Sequence, residues 1–488
     1  MFAPGYKKLR PQVVQVIASP TARLSGGVSG WRQFGQASCK DIAKSVEKEQ
    51  SLIRRAQQLY IIPALQFVQG RDSATWRYTE ASMVQVNVAF GRESLALEIH
   101  ERQRISARRA AAAPAIADVP AAVRQALESP REFPPLRRAL TPDDHVAIVL
   151  REQLTRLPEL LAPLLEHIVS AGVSVSNIAI VCPPRLEDQQ ADSWREGLPA
   201  ELRSVAVEVH EPATRNHLAY LAATKAGRRI YLNRTLVDAD QIVVLSRVAF
   251  DPVMGYTGGL SDLFPALSDE ATRNEFALRI TASAPGAKNW NTMQEAHEVG
   301  WLLGMPFVLE VMEGHGDDIS YVIGGGAKAT AEEAERLLNH HWRVKVERTA
   351  EVVVAGIGAD PQTQTFADVT RALACAARVV RVGGVIAVLS RAQTPVGPGL
   401  ALLRDSDSPV RALSLARQQK IPDVVGIWQL ATAAQHARLY LFSDIPPATA
   451  EELFVTPLES PGQVQRLLDG AESVLVLPDA HRTLAVLD

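Results

Sequence analysis

The chain is poor in the residues that mark several common function classes. It has 3 cysteines in 488 residues, Cys39, Cys182 and Cys375, far apart from one another. That excludes a disulfide framework and a paired-thiolate zinc site, and suits reduced, buried thiols. Aromatic residues make up 6%, too few for a chain organised around base-stacking platforms. Neither sign of charge dominates. The formal net charge is −3, without the basic excess of a nucleic-acid binder or a polybasic membrane protein. The longest apolar stretch, Leu157 to Val181, is broken by Glu159, Glu166, His167 and Asn177 before it reaches the roughly 20 residues of a membrane span. No h-region of a secretory signal stands out, so the expected location is cytoplasmic. HExxH and GxSxG are both missing, which leaves zincin and nucleophile-elbow chemistry unsupported.

Acids are also missing from the start. Residues 1–82 carry 12 Lys/Arg against 5 Asp/Glu, with none before Asp41. This composition fits a basic arm or targeting peptide, or a poorly structured extension with no function. Its one expected helix runs from about Lys40 to Tyr60.

The rest of the chain is regular. Apolar runs at Val84 to Phe90, Leu95 to Ile99, Val146 to Leu150, Ile178 to Val181, Val205 to Val209 and Ile242 to Leu245 read as strands. So do Val352 to Val354, Val385 to Leu389, Leu439 to Phe442 and Val474 to Leu477. Short continuous runs suit parallel strands buried on both faces. Helical patterns lie between them. Leu157, Leu160, Leu161, Leu164, Leu165 and Ile168 form one apolar stripe, with Pro158 suited to a first turn and Gly172 to the C′ position. Further helices are expected at Phe366 to about Val379 and at Thr330 to Asn339. The alternation predicts an α/β fold with parallel or mixed sheets flanked by helices. Domains are expected at 1–82, 83–342 and 343–488, with the polar stretch Trp342 to Thr349 as the boundary.

Three glycine clusters invite attention. Gly255-Tyr256-Thr257-Gly258-Gly259-Leu260-Ser261-Asp262 follows a strand, and its glycines would let backbone approach a ligand or form a tight turn. Gly324-Gly325-Gly326 reads as a loop before the helix at Thr330. Gly356-Ile357-Gly358-Ala359-Asp360 sits beyond a strand's carboxyl end but lacks a third glycine and a helix start. The histidine groupings, His210/His217, His340/His341 and His315 near Asp317 and Asp318, read as solvated or hydrogen-bonding residues.

Collinear stretches from about Met83 to Asp488 carry a resemblance. They are Val88-Ala89-Phe90-Gly91 with Leu95 to Ile99; Ala126-Leu127-Glu128-Ser129-Pro130 with Pro134-Pro135-Leu136; Thr155-Arg156-Leu157-Pro158; Tyr231-Leu232-Asn233-Arg234 with Ala239-Asp240; Gly255 to Gly259 with Pro265; and Val352 to Leu373 with Gly383-Gly384-Val385-Ile386. Together they resemble the nickel-pincer lactate racemase family. The resemblance implies a two-domain lactate-racemase-like α/β fold with a site in the cleft between domains. In such enzymes a lysine tethers a pyridinium nucleotide that holds nickel through carbon and sulfur. A histidine adds a metal ligand, and other histidines move the substrate's hydroxyl proton.

This sequence departs from that pattern where the chemistry lies. The tether lysine falls on Ser261, the metal-ligand histidine on or near Ala277, and one base histidine on Asp251. The other proton-moving histidine falls near Pro183-Pro184-Arg185, with Arg185 corresponding to the motif's arginine. Gln153 replaces an aspartate ahead of Thr155 and the retained Arg156, Pro361-Gln362-Thr363 replaces a Pro-Lys-Asp, and a lysine becomes Arg371. The resemblance therefore implies a divergent racemase or epimerase for a 2-hydroxy acid or related anionic metabolite, without the standard nickel-pincer site and with its cofactor unknown. Asp251 and Asp262 are the candidate acid–base residues. Thr155, Arg156, Arg185, Gly258, Gly259, Ser261 and Arg371 are the candidate binding residues. The other reading is a non-catalytic homologue that binds an anionic small molecule or a protein partner. No nucleic acid, membrane or metal is expected to take part.

Overall fold

The computed structural model describes residues 65–69 and 74–78 and, from 82 to 488, all but 111–112, 151–153, 185–192, 224–226, 287–289, 291, 362–363, 394–396 and 422. The expected helix at Lys40 to Tyr60 lies outside the described residues. The chain forms two compact units, Met1–Ser82 and Met83–Asp488. In the first, Leu65–Gln69 pairs antiparallel with Ala74–Tyr78.

The second unit opens with a hairpin, β1 (Met83–Phe90) and β2 (Glu93–His100), turning at Gly91, whose φ of 64° suits glycine. The strand β3 (Val146–Leu150) is buried along its whole length and leads to α1 (Leu157–Ser170). There the leucine stripe is fully buried, Leu160, Leu161, Leu164, Leu165 and Ile168 at 0% exposure. Each such side chain contributes about 1.5–3 kcal/mol. Pro158 occupies the first turn, and Gly172, at φ 101°, follows the last. Next come β4 (Ile178–Cys182), β5 (Ala206–Val209), β6 (Gln241–Arg247), α2 (Leu260–Leu263), α3 (Glu270–Ala277), β7 (Phe307–Glu313), β8 (Ile319–Gly326) and α4 (Ala327–Trp342). The strands β3 to β8 form one sheet in the order β8-β7-β6-β3-β4-β5, parallel except for β8.

The second sheet is wholly parallel. It comprises β9 (Ala350–Gly356), β10 (Val380–Leu389), β11 (Ala437–Phe442), β12 (Thr456–Leu458) and β13 (Val474–Leu477), in the order β12-β11-β10-β9-β13. Against it pack α5 (Phe366–Ala377), which follows β9, and α6 (Val424–His436), which precedes β11. The first hairpin lies on this sheet's other face. Val88, Leu97 and Ile99 share a core with Val352, Val354 and Val385, and Phe90 stacks on Phe442 at 4.8 Å.

All ten expected strands are present, and the mixed and parallel α/β character holds. Within the polar stretch Trp342 to Thr349, Arg343–Val346 is a strand between Ala107–Arg108 and Leu484–Leu487. Val344 and Val346 point inward while charged neighbours point out, an alternation that a count of polar residues hides. One local expectation does not hold: Gly324 to Gly326 is not a loop but the end of β8. A Cβ on Gly325 would sit 2.2 Å from the Arg131 carbonyl oxygen, so glycine here admits a neighbouring backbone rather than a turn.

Each sheet has one point where the strand order reverses. In the first, the chain runs outward from β3 to β5 and returns on the other side at β6. In the second, it runs outward from β9 to β12 and returns at β13. Ligands of open α/β sheets bind beyond the carboxyl ends of strands at such points.

Candidate functional site

Thr155 follows β3 and Arg247 ends β6, so they flank the first reversal point. Gly358 follows β9 and Asp479 follows β13, so they flank the second. The two are joined by a chain of ion pairs and hydrogen bonds. Glu313, at the end of β7 and 3% exposed, is its hub. Its Oε1 accepts from the Thr155 amide (3.1 Å) and hydroxyl (2.6 Å). The two sheets with their helices make up two halves of Met83–Asp488, and Glu313 Oε2 pairs with Arg247 Nη1 (3.3 Å) from the first half and with Arg482 Nη2 (3.2 Å) from the second. Burial alone would raise the Glu313 pKa; Arg482, then Arg247, then the Thr155 donors bring it down to about 2. Arg482 Nη1 also donates to the Gly314 and Gly316 carbonyls, both at 2.8 Å.

These contacts fix the turn that carries His315. Its Nδ1 is 2.5 Å from Asp479 Oδ2, and Asp479 Oδ1 accepts from the Gly358 amide at 3.2 Å. Arg109 Nη2 lies 3.2 Å from His315 Nε2, and Arg109 stacks over Trp342 at 4.5 Å. A guanidinium only donates, so Nε2 is the acceptor and Nδ1 carries the hydrogen given to Asp479. Burial would raise the Asp479 pKa, but His315, then His481 and Arg482, hold it below the usual carboxylate range. His315 and Asp479 open onto a cavity of about 480 Å³, walled also by Asn87, Arg92, Asp317 and Gly358. Arg92 pairs with Asp360 (2.5 Å) and approaches Asp317 (3.6 Å). A smaller cavity of about 260 Å³ beside Phe90, Arg391 and Phe442 carries none of the network.

A second buried glutamate lies on the other face of β7. Glu310, 3% exposed, has its pKa pushed up to about 8 by burial first and by Asp262 second, so it is protonated at neutral pH. It packs against Gly258 and Gly259, where a Cβ on Gly259 would meet Glu310 Oε1 at 2.8 Å. The Gly259 amide donates to Ser246 Oγ at 2.7 Å. Asp368, which caps α5 through Thr365 and pairs with Arg371 at 2.7 Å, is close enough to favour the charged form of Arg247.

Of the residues singled out in the sequence, Thr155, Asp262, Gly258, Gly259 and Arg371 touch or neighbour this network. Ser261 is buried, and its hydroxyl turns back to the Gly258 carbonyl at 2.9 Å. Asp251 accepts from the Val253 and Met254 amides, both at 2.7 Å, and so closes a turn. Arg156, at φ 54°, pairs in a fork with Glu159 at 2.7 and 2.6 Å. Arg185 lies outside the described residues. Ala277 is half-buried against the core of the second half.

Sequence reasoning missed Arg247, Glu310, Glu313, Asp479 and Arg482. The signal for the two glutamates is charge inside the apolar run Phe307-Val308-Leu309-Glu310-Val311-Met312-Glu313. No local pattern marks Asp479, because its partner His315 is 164 residues away.

Residues 90–283 match the family described as lactate racemase N-terminal domain. No curated protein matches the chain. Among solved structures, the lactate racemase apoprotein from Thermoanaerobacterium thermosaccharolyticum is 15% identical, with a TM-score of 0.68 over 82% of this chain and 100% of that one. A protein from Thermotoga maritima is 13% identical, with a TM-score of 0.55 over 76% of this chain and 97% of that one. The nickel-pincer nucleotide does not fit the positions that the resemblance gives it. Ser261 offers no amine for a tether, and its hydroxyl is already bonded inward. Ala277 offers no donor atom. Among the described residues no group of three or more His, Cys, Asp or Glu is arranged to hold a metal.

Proposed function

Because this chain carries a lactate racemase N-terminal domain and belongs with the lactate-racemase-like proteins, we propose that it is a divergent racemase or epimerase. Its substrate is a 2-hydroxy acid or a related anionic metabolite, bound between the two halves. The observation that carries this reading is the His315–Asp479 pair on the wall of the 480 Å³ cavity. An imidazole oriented by a buried carboxylate is a general base, and here it comes from a different part of the chain than the family's histidines. Substrate replaces Arg109 at Nε2. The α C–H bond breaks, its proton passes to Nε2, and the electron pair spreads into the substrate carboxyl group. Arg109 and Arg92 offset that charge. Return of the proton to either face completes inversion with no net oxidation. Asp262 acts at one remove, by adding to the burial that keeps Glu310 protonated. The test is incubation with single enantiomers of short 2-hydroxy acids in D2O. Deuterium entering Cα with loss of optical purity supports the reading. Binding without exchange across the series sinks it.

A second reading, a non-catalytic homologue that binds an anionic small molecule or a protein partner, is favoured by how fully the cations are engaged. Arg247 and Arg482 hold Glu313, Arg371 holds Asp368, Arg156 holds Glu159, and Arg109 covers the His315 lone pair.

A further inference from the structure

The surroundings of Glu313 look like a binding site whose ligand is already present. A carboxylate has about four acceptor positions. Both oxygens are engaged here: Oε1 accepts from the amide and hydroxyl of Thr155, and Oε2 accepts from Arg247 and forms an ion pair with Arg482. The donors come from three separated stretches and from both halves of the fold, at the first reversal point, where open sheets place ligands. They also exceed what one carboxylate can accept. The Nε atoms of Arg247 and Arg482 are buried and make no hydrogen bond, a costly arrangement for a site built only to hold one glutamate.

We infer that Thr155, Arg247 and Arg482 form a cradle for a small carboxylate, which the chain fills with its own Glu313. The side chain serves as a resident ligand, keeps free carboxylates out, and holds the two halves together through Arg482. This stands whether or not the His315–Asp479 pair performs proton exchange, since it concerns which anion sits in the cradle.

Glu313→Ala removes a CH2–COO⁻ fragment, and acetate restores it. In the full-length protein, acetate is expected to raise the melting temperature of the variant by several degrees over sodium chloride of equal ionic strength. Saturation is expected on the order of millimolar. The unmodified protein is expected to show no such difference. Formate is expected to act more weakly than acetate, because it leaves the methyl space empty. A folded variant whose stability is the same in acetate and in chloride overturns the inference. So does an equal acetate effect on the unmodified protein. If Glu313→Ala folds poorly, its refolding yield in acetate against chloride is read instead, and an equal yield overturns the inference. Glu313→Gln supplies the control. Its amide still fills the space, so acetate is expected to leave it unchanged, and a gain equal to that of the alanine variant would sink the idea.

Discussion

His315 Nδ1 lies 2.5 Å from Asp479 Oδ2, although 164 residues separate the two in sequence. The carboxylate fixes the tautomer and the ring orientation. Asp479→Asn keeps the shape but offers an amide where the imidazole needs an acceptor. On the proposed reading it lowers the α-proton exchange rate by about 10²–10⁴ and moves KM little. Exchange that proceeds at an unchanged rate in this variant rules the pair out as the acid–base centre.

Two buried glutamates give stability opposite pH dependences. Glu310 has a folded pKa of about 8 against an ordinary 4.5. Between those values the folded chain keeps a proton that the unfolded chain has released. Stability therefore falls as pH rises from 4.5 to 8. Glu313 is lowered from 4.5 to about 2. Its contribution is complete above 4.5 and disappears as pH falls toward 2. Glu310→Gln is expected to exceed the unmodified protein by about 2–4 kcal/mol at pH 8.5 and to match it at pH 4. Urea titrations at the two pH values measure this, and curves that coincide at both contradict the assignment.

Gly259 combines a φ of 51° with a position hard against Glu310. Gly259→Ala strains the backbone and drives Cβ toward a buried carboxyl oxygen. The expected loss is about 2–4 kcal/mol, read as a lower urea midpoint. Gly227→Ala, also at positive φ but with open space around the added Cβ, is the control and is expected to lose about 1 kcal/mol. Equal losses would mean that contact with Glu310 does not matter.

Arg482 reaches Glu313, Gly314 and Gly316 from the opposite half. Arg482→Gln leaves Glu313 with one cation and frees two carbonyls. A loss of about 3–5 kcal/mol is expected. Hydrogen exchange is expected to quicken selectively at residues 314–318, the turn that carries His315. Uniform quickening over the whole chain would argue against a local latch.

Strand positions were legible in the sequence because two-sided burial leaves continuous apolar runs such as Val146 to Leu150. The leucine stripe of α1 was legible because its spacing is helical. The reach of the network was not. Arg247 and Arg482 lie in different halves of the fold and meet only at Glu313, a proximity set by tertiary packing. Asp251 shows the converse limit. A carboxylate at a motif position reads the same whether it works on substrate or, as here, holds two turn amides. Gly325 misleads in a related way, because glycine admits close neighbours as readily as it makes loops.

The facing reversal points divide the labour within the molecule. The two sheets and their helices hold the apolar interior, while the polar groups gather at the last residues of strands and on the segments just past them. A scaffold of this kind superimposes at a TM-score of 0.68 on a protein only 15% identical to it. Neither half alone carries the whole network, and the first hairpin, early in the chain, packs on the second sheet, so the two halves depend on each other.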